Sequence, residues 1–201
     1  MAGKAVIFDV GRVLFHWDMR HLFRKLIADP VEMEWFVSHV VSPEWHFQHD
    51  AGRALDPMLA ERIAEFPEHE ALIRAYRARF NETIPGPVDG MLELVGELHA
   101  ARVPLFVISN FGDEFWENFR PHQPVFDLFD DVLISGKERL AKPDPAIYQL
   151  ALERFGLAAE RALFIDDVAA NIAGAESVGI AGHIFTGVDG VRDWLAGHGV
   201  L

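Results

Sequence analysis

Short runs of continuously apolar residues recur along the chain, and they predict buried β-strands. Three runs are clear: Ala5-Val6-Ile7-Phe8, Pro104 to Ile108 and Ala162 to Ile165. Apolar runs of this length without alternation are typical of parallel strands that are covered on both faces. Two weaker candidates for strands are residues 132–134 and 180–185.

The segments between these runs have the periodicity of helices. Val88 to Ala100 places its apolar side chains on one face, and Ala169 to Val178 is followed by a glycine stop. Pro145 to Phe155 has Asp144 as its N-cap and Gly156 as its C-terminal stop. Strands that alternate with helices in this way predict an α/β fold, a Rossmann-like, doubly wound and mostly parallel sheet.

One segment breaks this alternation, because residues 16–85 contain helix signals and no convincing strand. Asp29-Pro30, with Glu32 after it, indicates a capping box with proline at the first helical position. Asp56-Pro57 indicates the start of another helix, and residues 68–80 continue in helical period.

We therefore predict two domains. Residues 1–15 and 86–201 would form an α/β core, and residues 16–85 would form an inserted helical domain. The insertion lies between the first strand and the rest of the sheet, and Pro85-Gly86-Pro87 is the predicted return hinge.

Composition narrows the classes of function. Of 201 residues, 50% are hydrophobic and 24% are charged, which is typical of a folded globule. The net charge of −13, without any basic run, argues against nucleic acid as a partner. No run approaches the roughly 18 apolar residues of a membrane span. Strand-like sequence from Ala5 leaves no room for a signal peptide, so we expect a cytoplasmic protein. The chain has no cysteine, which excludes thiolate metal sites and a cysteine nucleophile.

Polar residues follow the predicted strands at the point where each one ends. Asp9 follows the first run, Ser109-Asn110 the second and Asp166-Asp167 the third, while Lys142 comes after the weaker strand at 132–134. Ligands of open parallel sheets bind beyond the carboxyl ends of the strands, so we expect these residues to share one site.

Three carboxylates in one site repel each other unless some are protonated or a cation lies between them. A ligand set of oxygens without histidine or thiolate favours a hard cation, and a few carboxylates with water suit Mg²⁺ better than Ca²⁺. Such an ion can also bind a phosphate oxygen. With Lys142 and Ser109 as further donors, the site would stabilise a phosphoryl group that an aspartate attacks.

Four segments resemble, in order and spacing, the motifs of the haloacid dehalogenase-like hydrolase superfamily. They are Phe8-Asp9-Val10-Gly11-Arg12-Val13-Leu14, Ile108-Ser109-Asn110, Lys142-Pro143-Asp144-Pro145 and Phe164-Ile165-Asp166-Asp167. The resemblance covers the whole chain, and the helical segment 16–85 matches the cap that the superfamily inserts after its first motif.

The resemblance implies a Mg²⁺-dependent phosphatase that acts on a small phosphorylated metabolite. Asp9 would be the nucleophile that forms an aspartyl-phosphate, and Ser109, Asn110 and Lys142 would bind the phosphoryl group. The metal ligands would be Asp9, the backbone carbonyl of Gly11, and the pair Asp166 and Asp167. Whether Asp166 contacts the ion directly or through water stays open, as does the oligomeric state. Asn171 either braces the site or faces solvent.

Gly11 departs from the pattern of most phosphatases of this superfamily, which have a second aspartate there as the general acid and base. Loss of such a group costs on the order of 10²–10⁴-fold in rate. The loss is smaller when the leaving group is stable as an anion, as in anomeric sugar phosphates and acyl phosphates. The Asp-x-Gly motif that begins at Asp9 and the segment Trp45 to Gly52 are similar to motifs of a branch of the superfamily that resembles α-glucose-1-phosphate phosphatases. This similarity favours a sugar phosphate as the substrate. His16, Asp18, His46 and His49 are candidates to replace the missing acid or to contact substrate.

Two other functions remain open. A 2-haloacid dehalogenase would use the same aspartate to attack carbon without a metal, but its fourth motif resembles Ser-Ser-Asn, whereas this chain has Asp166-Asp167. A non-catalytic phosphate-binding or regulatory module would explain Gly11 as a sign of lost activity. The presence of Asp9, Ser109 and Lys142 argues against that hypothesis.

Overall fold

A parallel five-stranded β-sheet forms the centre of the computed structural model, which describes residues 3–201. The strands are β1 (Ala5–Phe8), β2 (Leu105–Ser109), β3 (Asp131–Ile134), β4 (Ala162–Asp166) and β5 (Ala181–Ile184). Their spatial order is β3-β2-β1-β4-β5, and each neighbouring pair is parallel. The sheet confirms the predicted α/β, Rossmann-like fold, and every predicted strand matches an observed strand to within one residue at either end.

Helices connect the strands of the described residues. The α-helices are α1 (Arg20–Phe23), α2 (Pro30–His39), α3 (Pro43–Asp50), α4 (Leu55–Glu65), α5 (Glu70–Ala78), α6 (Met91–Ala100), α7 (Asp113–Phe119), α8 (Ser135–Glu138), α9 (Pro145–Phe155), α10 (Ala169–Ser177) and α11 (Val188–Gly197). Short 3₁₀ segments are Pro67–His69, Phe80–Thr83, Arg120–His122, Pro124–Leu128 and Ala159–Arg161. None of the described helices has the length and apolar character needed to cross a lipid bilayer.

Apolar layers cover both faces of the sheet. Val6 and Phe8 of β1 pack into one layer together with helix α6, while Ala5 and Ile7 pack into the other together with helices α9 and α10. All four residues of β1 are buried. Burial on both faces explains why this strand is apolar at every position instead of alternating.

Helices α1 to α5 follow β1 and precede β2, and the described part of residues 16–85 contains no strand. These helices share one continuous buried layer with the sheet. Phe80 stacks on Phe115 of α7 at 3.8 Å between ring centroids, and Tyr76 of α5 meets the same ring edge-on at 5.4 Å. The helical segment therefore packs directly on the sheet-bearing part of the chain, and the two-domain division stays a prediction.

The predicted helix starts with side-chain caps are confirmed. The Asp29 carboxylate accepts a hydrogen bond from the backbone N–H of Val31 at the start of α2. Asp144 accepts one from Ala146 at the start of α9, and Gly156, with a φ of +64°, follows the last residue of this helix. A glycine fits there because the left-handed conformation is strained for residues with a Cβ atom. Among the described hydrogen bonds, Glu32 makes none that completes a capping box.

Two predicted helices are present but begin at other residues than predicted. Helix α4 begins at Leu55, so Asp56 lies inside the first turn, where the helix dipole favours a carboxylate. Helix α6 begins at Met91 instead of Val88, because Gly90 is left-handed with a φ of +76° and ends the preceding turn. The apolar periodicity alone extended that helix too far.

The strand order reverses at β1. The chain continues from β1 to β2 on one side of it, and later to β4 on the other side. A crevice forms where neighbouring connections leave a parallel sheet in opposite directions, and ligands of open α/β sheets bind there. The carboxyl end of β1 is therefore the place in this fold that favours a site.

Candidate active site

Three strand ends bring the predicted polar residues together. Asp9 follows β1, Ser109 is the last residue of β2, and Asp166 is the last residue of β4. Because β1 lies between β2 and β4, these ends are neighbours at the edge where the strand order reverses. Carboxylate oxygens of Asp9, Asp166 and Asp167 lie within 4.8 Å of one another. The fold thus assembles the acidic cluster that the sequence predicts.

Asp9 is held by one of its two carboxylate oxygens. Oδ1 accepts hydrogen bonds from the backbone N–H of Val10 at 2.7 Å and from the Ser109 hydroxyl at 2.8 Å, and it lies 2.9 Å from the Lys142 ammonium. Among the described residues, none donates a hydrogen bond to Oδ2. The side chain is therefore fixed in orientation while Oδ2 stays available to a ligand.

Lys142 is a buried ammonium, only 1% exposed, between two carboxylates. Its Nζ lies 2.6 Å from Asp166 Oδ2 and 2.9 Å from Asp9 Oδ1. The side-chain amide of Asn110 holds the backbone of Lys142 through two hydrogen bonds, each of 2.9 Å. The Asn110 side chain is consequently occupied in positioning Lys142. Phosphate binding by Asn110 stays a prediction, and its backbone would have to provide the contact.

Asp166 is fully buried, and both of its oxygens have partners. Oδ1 accepts from the backbone N–H of Val168 at 2.8 Å, and the Asn171 amide lies 3.0 Å from each oxygen. Lys142 binds Oδ2. The structure thus resolves the role of Asn171, which braces the acidic cluster instead of facing solvent.

Asp167 differs from Asp166, because it is partly exposed and lines a cavity that Asp9 also lines. Its nearest cation is the exposed guanidinium of Arg12, 3.6 Å from Oδ2. The same guanidinium lies 5.3 Å from the ring centroid of Trp17. Within the adjacent pair Asp166 and Asp167, Asp167 is therefore the residue whose oxygens are open to a ligand.

The cluster holds more negative than positive charge. Burial raises the pKa of Asp9 to about 6, an effect that Lys142 partly offsets and Asp166 increases. Burial and the charge of Asp166 also raise the pKa of Asp167, against the opposing effect of Arg12. Burial disfavours the charged form of Lys142, yet its two carboxylate neighbours outweigh this and raise its pKa. One buried ammonium faces three carboxylates, and a further cation would relieve their repulsion.

The cavity above Asp9 has a volume of about 160 Å³. Asp9, Lys142 and Asp167 line it together with apolar walls and the polar pair His46 and Asp50. The apolar part consists mainly of side chains from Phe15, Trp17, Phe80, Ile84 and Phe111. A ligand in this cavity would meet the acidic cluster and an aromatic wall at the same time.

Gly11 also lines the cavity, and a Cβ atom at this position would meet no other atom within 4 Å. The space that an acid and base would occupy at this position is open. The role of the Gly11 backbone carbonyl as a metal ligand stays a prediction.

His46 is the histidine that the structure places at the cavity. Its ring stacks between Trp17, at 5.0 Å, and Phe80, at 5.8 Å. Nδ1 is hydrogen-bonded to the Tyr76 hydroxyl, and Nε2 lies 3.2 Å from Asp50 Oδ2. His46 is therefore fixed by four side chains from the helical segment.

The other candidates for an acid or a substrate contact, His16, Asp18 and His49, do not line this cavity. His49 Nδ1 binds the backbone carbonyl of Arg53, and its ring packs so closely on Gly112 that a Cβ there would fall 2.0 Å from Cδ2. His16 is exposed and lines a separate surface depression. Asp18 accepts a hydrogen bond from the backbone N–H of Arg20 and does not line the cavity.

Sequence reasoning missed Asp50, which lines the cavity, and Tyr76 and Ser135, which bond to residues that line it. Asp50 stands four residues after His46 on α3, a spacing that places two side chains on one helix face and could have indicated the pair. Ser135 directly follows β3, and Ser109 is the last residue of β2. The expectation that polar residues at the carboxyl ends of the strands share one site therefore also applied to Ser135. No sequence signal links Tyr76 to His46.

Comparison with known protein families matches residues 4–179 to the haloacid dehalogenase-like hydrolases. The chain therefore belongs to this family. A HAD family enzyme of Bacteroides thetaiotaomicron has the same fold, with a TM-score of 0.72, 23% identity and coverage of 98% of both chains. The wild-type form of that enzyme in complex with magnesium and inorganic phosphate superposes with a TM-score of 0.70, 22% identity and coverage of 92% of this chain and 96% of that one.

Curated relatives of similar sequence include phosphatases. A sesquiterpene phosphatase of Aspergillus oryzae is 27% identical over 185 residues, which are 89% of this chain and 88% of that protein. A validoxylamine A 7′-phosphate phosphatase of Streptomyces hygroscopicus is 28% identical over 134 residues, 64% of this chain and 63% of that protein. The chain spans only 17% of another relative, the acyl-CoA dehydrogenase family member 10 of Mus musculus.

Proposed function

We propose that this chain is a Mg²⁺-dependent phosphatase of small phosphomonoesters that works through an aspartyl-phosphate on Asp9. The observation that carries the proposal is the asymmetry of the Asp9 carboxylate. Three donors hold Oδ1, and Oδ2 is left without one among the described residues, in a cavity that Lys142 also lines. A nucleophile must be fixed in orientation and keep one oxygen free, and Asp9 meets both conditions.

The residues of the cluster fit a magnesium ion. The carboxylates outnumber the buried ammonium, and oxygen ligands are those that Mg²⁺ prefers. Asp9, Asp167 and the carbonyl of Gly11 would hold the ion, while Asp166 has its oxygens occupied and would act through Lys142 and Asn171. When bound, Mg²⁺ would offset the charge of the phosphoryl oxygens and help to hold them for attack.

The reaction has two displacements at phosphorus. Asp9 attacks the phosphorus, the bond to the ester oxygen breaks, and the leaving group departs with the electron pair. Lys142 and Ser109 stabilise the charge of the phosphoryl oxygens. Water then attacks the same phosphorus, the bond to Asp9 breaks, and inorganic phosphate leaves while the water gives its proton to solvent.

The absence of a general acid at Gly11 restricts the range of substrates. A leaving oxygen that receives no proton from the enzyme departs readily only if it is stable as an anion. Anomeric sugar phosphates and acyl phosphates meet that condition. The relatives whose names describe them as phosphatases of a sesquiterpene and of validoxylamine A 7′-phosphate support a small phosphorylated metabolite as the class of substrate.

Residues 16–85 are proposed to form the cap over this site. Trp17, His46 and Phe80 belong to the helical segment and supply walls of the cavity, while Asp9 and Lys142 belong to the core. The cap would therefore choose the organic part of the substrate, and the core would hold the phosphoryl group.

The proposal is tested by release of inorganic phosphate from a panel of sugar phosphates, acyl phosphates and simple alkyl phosphates, with Mg²⁺ or with a chelator. We expect release with Mg²⁺, loss of release with the chelator, and loss in Asp9→Asn. The matched control is Asp193→Asn, which removes an exposed carboxylate that does not line the cavity and should retain activity. Halide release from 2-haloacids without metal would establish a dehalogenase instead. Binding of phosphate without turnover of any ester would establish a binding module.

A further inference from the structure

Asp50 is a buried carboxylate that the proposed reaction does not use. It is 6% exposed and lines the same cavity as Asp9. Its Oδ1 is buried and has no hydrogen-bond partner among the described residues. A buried charged acceptor without a partner is costly, so such a group in a ligand cavity is expected to bind a donor that the ligand brings.

The neighbours of Asp50 satisfy only part of its carboxylate. The Tyr76 hydroxyl is fully buried, and burial raises its pKa well above the usual range, so it keeps its proton beside His46 Nδ1. When this hydroxyl donates to Nδ1, the Nε2 atom of the ring is left to donate to Asp50 Oδ2, which lies 3.2 Å away. Either way, His46 contacts only Oδ2, and the carboxylate keeps unused acceptor capacity.

The position of Asp50 is tied to the phosphoryl end of the cavity. The Ser135 hydroxyl donates to the backbone carbonyl of Asp50 and accepts from the backbone N–H of Phe111 at 3.0 Å. Phe111 follows Ser109 by two residues. Through Ser135, the end of helix α3 is thus bonded to the loop that directly follows Ser109, the hydroxyl donor to Asp9. These bonds fix the position of Asp50 relative to Asp9.

The rest of this part of the cavity is apolar. Phe15, Trp17, Phe80 and Phe111 supply its aromatic walls. The whole cavity, including its acidic end, has a volume of about 160 Å³, so the phosphoryl group and the enclosed organic part would share this space. A small organic part would lie against the rings and could direct one polar group to Asp50.

We propose that Asp50 is a specificity-determining residue, and that its carboxylate accepts a hydrogen bond from a hydroxyl or ammonium group on the organic part of the phosphomonoester. The favoured substrate carries an apolar face for the aromatic walls and one such donor. This inference rests on the proposed function, because it assigns the substrate class of the same site.

The test compares three phosphate esters of matched size and leaving group: one with a hydroxyl, one with an ammonium in its place, and one with a methyl group there. In the presence of Mg²⁺, the wild-type chain should favour a donor-bearing ester over the methyl ester by about 10- to 150-fold in kcat/KM, the range of a hydrogen bond to a charged group. A larger preference for the ammonium identifies a cationic substrate, and a larger one for the hydroxyl identifies an alcohol.

Asp50→Asn should reverse part of this preference. With a proton on His46 Nε2, the amide oxygen faces the histidine and the NH₂ group presents donors where the carboxylate had only acceptors. The ratio between the ammonium and methyl esters should fall to about 1 or below, because an ammonium has no acceptor for the NH₂ group. The hydroxyl ester should lose less of its preference, because a hydroxyl can accept from the same group. The matched control is Glu44→Gln, which removes an exposed carboxylate from the same helix and should keep the wild-type ratio.

Each outcome separates the two hypotheses. No phosphate release from any of the three esters by the wild-type chain would overturn the proposed function. Release from all three without a preference for a donor would overturn the role of Asp50, and this result does not depend on whether the variant folds. An equal loss of kcat for all three esters in a folded Asp50→Asn variant would also overturn it, because a proton donor and not a selecting residue gives that result.

Discussion

Removal of the Lys142 ammonium tests how the acidic cluster is held together. Lys142→Met keeps a long side chain but removes the charge that lies 2.6 Å from Asp166 and 2.9 Å from Asp9. Both carboxylates are buried, so the variant would leave them without their shared counter-charge. Loss of one partner of a buried ion pair typically costs about 3–5 kcal/mol, because the other charge stays buried and unpaired.

That cost corresponds to a fall in Tm of about 6–20 °C, since about 1 kcal/mol shifts the Tm of a chain of this size by roughly 2–4 °C. The measurement is thermal unfolding by circular dichroism in a chelator. Mg²⁺ should restore part of the loss, because a divalent cation can occupy the same acidic cluster. Asp166→Asn combined with Lys142→Met should also restore part of it, because it removes one unpaired carboxylate.

The matched control is Lys137→Met. Lys137 is 45% exposed and pairs with the exposed Glu117 at 3.1 Å, so its loss should cost no more than about 1 kcal/mol. A Lys142→Met variant as stable as this control, with no response to Mg²⁺ or to the Asp166 substitution, would refute the reasoning about a shared buried counter-charge.

Three further predictions concern the chemistry of the cluster. Gly11→Asp should be accommodated, because a Cβ there meets nothing within 4 Å. The variant should hydrolyse simple alkyl phosphates faster by on the order of 10²–10⁴-fold, while hydrolysis of acyl phosphates should gain little. Equal gains for both classes of ester in steady-state rates would contradict the account of the missing acid. Asn171→Ala removes the amide that lies 3.0 Å from both Asp166 oxygens and should weaken Mg²⁺ affinity by about 10–100-fold in a calorimetric titration. Unchanged affinity would show that the contact of Asn171 with Asp166 does not contribute to metal binding. The pKa of Asp9 is raised to about 6 from an ordinary value of 3.8, so the metal-free folded chain binds an extra proton between these values and loses stability as the pH rises through 6. In chemical unfolding with a chelator, the free energy of unfolding of Asp9→Asn relative to that of the wild type should therefore increase from pH 4 to pH 7. A difference in this free energy that is independent of pH would count against the raised pKa.

The sequence was informative about the sheet because its strands are buried on both faces. Continuous apolar runs predicted β1, β2 and β4, and the polar residue after each run predicted which side chains meet. That inference needs only the parallel order of the strands, since their carboxyl ends then lie at one edge. The caps at Asp29 and Asp144 were equally local, because an N-cap bonds to a backbone amide two residues away.

The wall of the cavity was harder to predict because it depends on how helices face each other. His46 and His49 are three residues apart on α3, and sequence treated them alike, yet one lines the cavity and the other packs against Gly112. Tyr76 meets His46 across thirty residues of chain. Such contacts are set by tertiary packing, which leaves no local pattern.

Identification of the amino acid that carries the phosphoryl group is the most direct test of the central claim. Without an acid and base at Gly11, attack of water on the aspartyl-phosphate should be slow enough for the adduct to accumulate during turnover of an acyl phosphate. Rapid quenching in acid, followed by peptide mass spectrometry, should find one added phosphoryl group on the peptide that contains Asp9. The adduct should be absent in a chelator and in Asp9→Asn. Sustained phosphate release with Asp9 unmodified, or an undiminished rate in Asp9→Asn, would contradict the account.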